Sequence, residues 1–400
     1  MKASNETQGA LSGIRVVDLS NFVFGPVASQ MLGDMGADVI KIEPPSGDPT
    51  RLIGKNKSPL MGSFFLNLNR NKKSMVLDLK QPHAIEALHK LLSSADVLVH
   101  NMRLSALQKL GLDYTSLSTK YPKLIFASAQ GFGVGGRYFD RPAYDDIIQG
   151  LSGLVGINKQ MSGQSMYMPM LFADKLCGTL LYSAISTALF HRERTGNGQA
   201  VAVPMLESTV AFNLLEHMAD AVFMPEDNQN AVPLGYRRVF GTYHRPLKTK
   251  DGQICLIANT DAQWHRLFNL MGLPELVDDS RFKSIGKRME HIDELYSIVE
   301  NRLMTKSRSD WLTSFENADI PASPAHTLDD VRHDPHLEET KFFKVVSSST
   351  EGDLVMPDIA TKYSDSPGSI RLPPPLLGEH THQTLKEIGY AETDIAHFFS

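Results

Sequence analysis

Along the first half of the chain, short runs of branched aliphatic residues alternate with stretches in which apolar residues recur every three or four positions. IRVVDLS (14–20) reads as a buried strand, residues 26–35 have helical spacing, and ADVIKIE (37–43) reads as a second strand. SMVLDL (74–79), ADVLVHN (95–101) and KLIFASA (123–129) extend the strand series, with helices expected over 82–92 and around 104–110. Strands separated by helices call for a parallel sheet covered on both faces, which places the chain in the α/β class.

From Asp174 to Arg194 the pattern changes to one long, mostly apolar helix, which the turn TGNGQ (195–199) closes. A short strand and a further buried helix follow over 200–223, and the polar segment 224–238 interrupts the pattern as a linker. Hairpin strands about KTKDGQ (248–253) and amphipathic helices near Trp264 and Leu295 then predict a smaller α+β domain. The strand-like runs KFFKVVSS and GDLVMPDI, a proline cluster and a last helix complete the chain. The boundaries expected are 1–225 for the first part of a large domain, 226–325 for the small one, and 326–400 for a return to the large one.

Composition narrows the function. With 400 residues, 42% hydrophobic and 21% charged, this is a globular composition long enough for two cores. A net charge of −5 with interspersed signs argues against nucleic-acid and anionic-membrane surfaces, so an anionic ligand must meet a local basic pocket. Two cysteines without a CxxC pair support neither a disulfide framework nor a thiolate metal site, and imply a reducing, cytoplasmic setting. The N-terminus lacks an apolar signal-peptide core. The uncharged run 176–190 is shorter than the roughly 20 residues that span a bilayer.

Several motifs admit two readings. Gly131, Gly133 and Gly136 match GxGxxG, the dinucleotide fingerprint, but they follow a late strand and open no clean helix, so a flexible loop beside an active site fits better. Asp174 starts the long helix, where a carboxylate commonly serves only to offset the helix dipole; the same position suits a carboxylate nucleophile. The basic groups Arg70, Lys72, Lys73 and Arg103, Lys109 are either solvated faces or phosphate clamps. His380 and His382 form an HxH pair without the carboxylate spacing of a metal site. No HExxH, GxSxG or GxxxxGK[ST] occurs, which removes three common enzyme classes.

The segments LSGIRVVDLSNFVFGPVASQMLGDMGADVIKIEPPSGDPTR (11–51), NRNKKSMVLDL (69–79), VLVHNM (97–102), GFG (131–133), FADKLCG (172–178), RTGNGQAVAVPMLES (194–208) and PPLLGEHT (374–381) occur in this order. Together they resemble the class III coenzyme A transferases, the family of formyl-CoA and carnitine CoA transferases and α-methylacyl-CoA racemase. The resemblance implies a Rossmann-like large domain with a parallel sheet, a smaller α+β domain, and a homodimer of interlocked rings. It implies transfer of CoA from an acyl-CoA to a carboxylic acid, with CoA as substrate and no tightly bound cofactor or metal.

In that likeness Asp174 is the covalent nucleophile, with Asp145 and Tyr144 beside it. Val23, Arg70, Lys72, Lys73, Asn101, Met102, Arg103, Ala106 and Lys109 fall at CoA-contacting positions. The sequence departs from the family at Val23, where formyl-CoA transferase has glutamine, and at Tyr144, where racemases carry a histidine base. Residues 233–246 replace a glycine-rich loop, and Arg237 or Arg238 there is placed to meet an acceptor carboxylate. Tyrosine, with a reference pKa near 10, is a poor base, which favours transfer over the alternative of an acyl-CoA racemase or isomerase. A non-catalytic acyl-CoA binding protein is the third reading.

Overall fold

The computed structural model describes residues 9–224 and 232–398. Residues 225–231, within the expected linker and across its 225/226 boundary, lie outside the described residues, as do 1–8. The chain divides into two compact units, one of Met1–Leu154, Tyr167–Phe212 and Glu339–Ser400, the other of Val155–Met166 and Asn213–Glu338.

The larger unit is built on six strands: β1 (Arg15–Asp18), β2 (Asp38–Glu43), β3 (Lys72–Val76), β4 (Val97–His100), β5 (Ile125–Gln130) and β6 (Ala200–Pro204). They pair in the order β3-β2-β1-β4-β5-β6, every pairing parallel. Successive side chains point to opposite faces, so Val16 enters one core and Val17 the other. The helices that cover the sheet include α1 (Phe24–Asp34), α2 (Pro82–Leu92), α3 (Leu104–Leu110), α4 (Tyr114–Lys120), α5 (Asp145–Leu151) and α6 (Phe172–Thr195). α2 and α3 fall where the spacing predicts them, because Pro82 is tolerated in a first turn and Gly111 takes the left-handed cap conformation, φ 65°.

α6 is longer than the sequence pattern alone suggests by two residues at its start, and it is not buried all round. Ala173, Cys177, Leu181, Ile185, Ala188 and Arg192 make one buried stripe at three- and four-residue spacing, while Phe190 is 64% exposed on the other side. α1 lies directly on α6. A Cβ on Gly178 would come within 2.7 Å of Val27 Cγ1 and 2.9 Å of the Phe24 carbonyl oxygen, so only glycine permits this approach.

The sheet order reverses between β1 and β4. In open parallel sheets ligands bind outside the carboxyl ends of strands at such a switch point, here the loops 19–23 and 101–103.

In the second unit, β7 (Leu247–Lys248), β8 (Gln253–Leu256) and β9 (Ala322–Pro324) form an antiparallel sheet, with helices α7 (Asp261–Leu270), α8 (Ile292–Leu303) and α9 (Arg308–Asn317) around Trp264, Phe268, Trp311 and Phe315. This unit starts and ends at 213 and 338, against 226 and 325 from the sequence pattern, and it gathers 155–166 as well. KFFKVVSS and GDLVMPDI pair as an antiparallel hairpin, β10 (Phe343–Ser348) with β11 (Gly352–Pro357).

Candidate active site

The first turn of α6 leaves backbone N–H groups without intrahelical partners, and its N-cap, Leu171, has no side chain to accept from them. Asp145, buried at the start of α5, fills that role from elsewhere in the chain: the Asp174 amide donates to Asp145 Oδ1 at 3.0 Å. Gln149 lies one helical turn beyond Asp145 and therefore on the same face. Its Nε2 donates to Asp145 Oδ2 at 2.6 Å and to the Met170 carbonyl at 3.2 Å, and its Oε1 accepts from the Met168 amide at 2.8 Å. The approach to α6 is thereby clipped to α5, and both Asp145 oxygens are occupied. Gln149 was not singled out from sequence, although its four-residue spacing from Asp145 was a usable signal.

The side chain of Asp174 is half-buried and accepts no hydrogen bond that would favour its anion. Burial, and then the negative charge of Asp145, push its carboxyl pKa up to about 7. Such a carboxylate is a stronger base and nucleophile than an ordinary aspartate, and it sits where helix amides favour negative charge on a reacting oxygen.

The loop after β1 is fixed by buried charge. Lys41 donates to the Ser20 carbonyl at 2.7 Å and pairs with Asp48 at 2.8 Å. Asp48 Oδ1 accepts from the amides of Thr50, at 2.9 Å, and Phe22, at 3.4 Å. Across the switch point Asn101 Nδ2 donates to the Asn21 carbonyl at 2.9 Å, and Asn101 Oδ1 accepts from the Asn21 amide at 3.2 Å.

A cavity of about 900 Å³, large enough for a bulky cofactor-like substrate, runs over the carboxyl ends of β1, β4 and β5. Asp174, Asp145, Tyr144, Val23, Asn101, Met102 and Arg103 all line it. Ala106 and Lys109 do not, although Leu104 and Leu107 of the same helix, α3, do. Asp174 and the loop 20–23 are brought to one place by the close packing of α1 on α6.

Three expected CoA contacts are placed otherwise. Arg70 is tied to Asp34, Nη2 to Oδ2 at 2.8 Å, and to the Pro357 carbonyl at 2.5 Å. Lys72 is fully buried and donates to Asn69 Oδ1 at 2.8 Å and the Pro26 carbonyl at 2.9 Å, with Asp18 at 3.4 Å. Lys73 pairs with Asp38 at 2.7 Å. None of the three lines the cavity. A buried cation must be paired or neutralised, and carboxylates on β1, β2 and α1 take all of these, which linear sequence does not reveal.

The glycine motif follows β5, and no helix starts until Asp145. Its Gly133 amide donates to Glu207 Oε1 at 2.9 Å, so a carboxylate holds the position that a pyrophosphate would need. Gly131 is required by close approach, since a Cβ there would lie 2.3 Å from that of Ala143. His380 Nδ1 accepts from the Ser74 amide at 3.3 Å and His382 pairs with Glu392 at 2.6 Å, so HxH serves packing. Arg237 and Arg238 lie in a short turn of the second unit, where Arg238 lines a cavity together with Tyr243 and Tyr296.

The model of the family described as CoA-transferase family III matches residues 11–381. The chain belongs to that family. Its members include a succinate–glutarate CoA-transferase of Agrobacterium fabrum, 34% identical over 387 residues, covering 94% of this chain and 95% of that protein. A cinnamoyl-CoA:phenyllactate CoA-transferase of Clostridium sporogenes is 30% identical over 395 residues, covering 96% and 94%. A crystal structure of a Mycobacterium tuberculosis homologue superposes with a TM-score of 0.81 at 30% identity, covering 94% of this chain and 99% of the other. The protein is therefore a class III CoA-transferase, and CoA thioesters and carboxylic acids are its substrates. No described helix is long and apolar enough to cross a membrane.

Proposed function

We propose that transfer runs through covalent intermediates on Asp174. The carboxylate attacks the thioester carbonyl of the donor, forming a C–O bond and releasing CoA as thiolate, which leaves a mixed anhydride. The thiolate attacks the aspartyl carbonyl, releasing the donor's acid and leaving an aspartyl-CoA thioester. The acceptor carboxylate then attacks that thioester, and the expelled thiolate attacks the acceptor's carbonyl in the second anhydride. The new acyl-CoA departs and the Asp174 carboxylate is restored. No net proton transfer is needed in any of these steps.

The observation that carries this reading is the raised carboxyl of Asp174, held at a helix start inside a large cavity by a buried second carboxylate. In this scheme Asp145 is a positioning residue: its oxygens fix α6 and its charge keeps Asp174 reactive. Arg103 and the apolar wall of α3 receive the CoA body, its phosphates toward the arginine. The acids exchanged belong to the small carboxylic acids for which the relatives are named. A homodimer is part of the proposal, supported by the exposed apolar Phe190, Phe212 and Leu215, at 64%, 46% and 78% exposure.

Asp174→Ala tests the nucleophile. Loss of transfer by about 10³-fold or more with CoA binding retained is expected, in line with removal of a covalent catalyst. Retained transfer in the folded variant would contradict the scheme.

A further inference from the structure

Phe22 has a backbone φ of 64°, in the left-handed region that an L-residue with a bulky side chain rarely adopts. Such a conformation persists only where the surroundings over-determine it, and it concentrates at functional sites. Here they do so from both sides. The Phe22 amide is held by Asp48 Oδ1, and its neighbours by Lys41 on the Ser20 carbonyl and Asn101 on both backbone groups of Asn21. Asp48 and Lys41 are themselves fully buried and paired.

The product of this arrangement is the position of one ring. Phe22 lines the cavity and meets Tyr144 edge to face, with centroids 5.9 Å apart and planes at 81°. Tyr144 directly precedes Asp145, whose carboxylate holds the amide of Asp174. The aromatic pair lines the same cavity as the carboxylate that reacts, and so borders the space open to an acyl group bound there. Val23, the next residue, also lines the cavity and is almost fully buried.

We propose that Phe22 and Tyr144 form a fixed wall that limits the size of the acyl group accepted at Asp174, and so determine acyl specificity. The proposal rests on Asp174 as the reacting carboxylate. A wall carried on a backbone held in place discriminates by clash, because the loop cannot move aside as a relaxed one would. One methylene against such a wall is worth about 10- to 200-fold in kcat/KM.

The test needs no knowledge of the natural acceptor. The protein is given the CoA thioester of a straight-chain acid together with the same acid labelled with ¹³C, and label entering the thioester is followed by mass spectrometry for acids from acetate to decanoate. Phe22→Gly removes the ring while suiting the left-handed backbone, so the substitution favours the native loop. Tyr144→Ala removes the other ring at a position 60% exposed, where folding does not depend on it. Each variant is expected to raise the ratio of long-chain to acetate exchange by about tenfold or more for the first excluded length. The ratio is taken within one preparation, so loss of folded protein does not move it. An unchanged length profile in both variants overturns the wall while leaving the transferase scheme intact. Absence of exchange with every acid in the unmodified protein, with no acyl group or CoA trapped on Asp174, overturns the scheme itself.

Discussion

Replacing Asp174 with asparagine keeps the shape of the side chain and removes a charge that its surroundings resist. The folded carboxyl titrates at about 7 against an ordinary value of 3.8. A raised folded pKa means that the native state keeps a proton that the unfolded chain has already lost. The associated stability is fully present below about pH 4 and is lost as pH rises through about 7, so the native protein bears the whole cost at pH 8. Three units at about 1.4 kcal/mol each set a ceiling of about 4 kcal/mol, and partial exposure brings the expectation to about 2–4 kcal/mol. Loss of a favourable carboxylate–dipole interaction offsets about 0.3–1 kcal/mol of the gain in the variant.

With an unfolding entropy of about 2.1 cal/mol/K per residue, the remaining difference corresponds to a rise in Tm of about 1–5 °C for a chain of this length. The assay is paired thermal denaturation of the two proteins at pH 5 and pH 8, where every other titrating group is common to both. Asp174→Asn is expected to exceed the unmodified protein by about a third as much at pH 5 as at pH 8, because the penalty starts to build above the unfolded carboxyl's value of 3.8. Equal Tm differences at the two pH values, or a variant less stable at pH 8, would refute the raised pKa and the electrostatic role given to Asp145.

Two further predictions separate structural cations from binding ones, and transfer from racemisation. Lys72→Met removes one of the two buried lysines beside Asp18, which keeps Lys41 and its bonds from Ser20 and Ser29, and should cost about 1–3 kcal/mol by chemical denaturation, with no selective rise in KM for acyl-CoA. Arg103→Met, at an exposed position on the cavity wall, should change stability by no more than about 0.5 kcal/mol while raising KM about tenfold or more, as loss of one charge-assisted phosphate contact predicts. Tyr144→Phe keeps the ring and removes the hydroxyl; transfer should fall less than about tenfold, and neither protein should wash α-deuterium from a chiral acyl-CoA into solvent. Deuterium loss that depends on the hydroxyl would favour the racemase reading.

Much of the larger unit was legible because its strands are short apolar runs and its helices carry end signals, as at Pro82 and Gly111. What sequence could not supply is pairing across distance. Lys41, Glu43 and Lys72 lie in or beside strands read as apolar, and are accommodated only because Asp18 and Asp48 converge on the lysines and Glu43 meets Arg51, from the turn 49–52, within the fold. The basic run 70–73 looked like a phosphate clamp for the same reason: nothing in linear order shows that Asp34, Asp18 and Asp38 neutralise it. Asp174 was found through its resemblance to a family segment, whereas its physical setting comes from Asp145, 29 positions earlier. Phe22 carried no sequence signal, since a left-handed phenylalanine is a property of the loop that holds it. The middle unit runs 213–338 and also takes in 155–166, an earlier part of the chain that linear order does not connect with it.

The most direct measurement of covalent chemistry at Asp174 is to incubate the protein with an acyl-CoA and no acceptor, treat it with hydroxylamine or borohydride, and read the mass of the peptide containing Asp174. Conversion of Asp174 to the hydroxamate, or its reduction to the alcohol, is the result expected of an aspartyl thioester or anhydride. An unmodified Asp174 peptide, from protein shown to be transferring CoA under the same conditions, would contradict it.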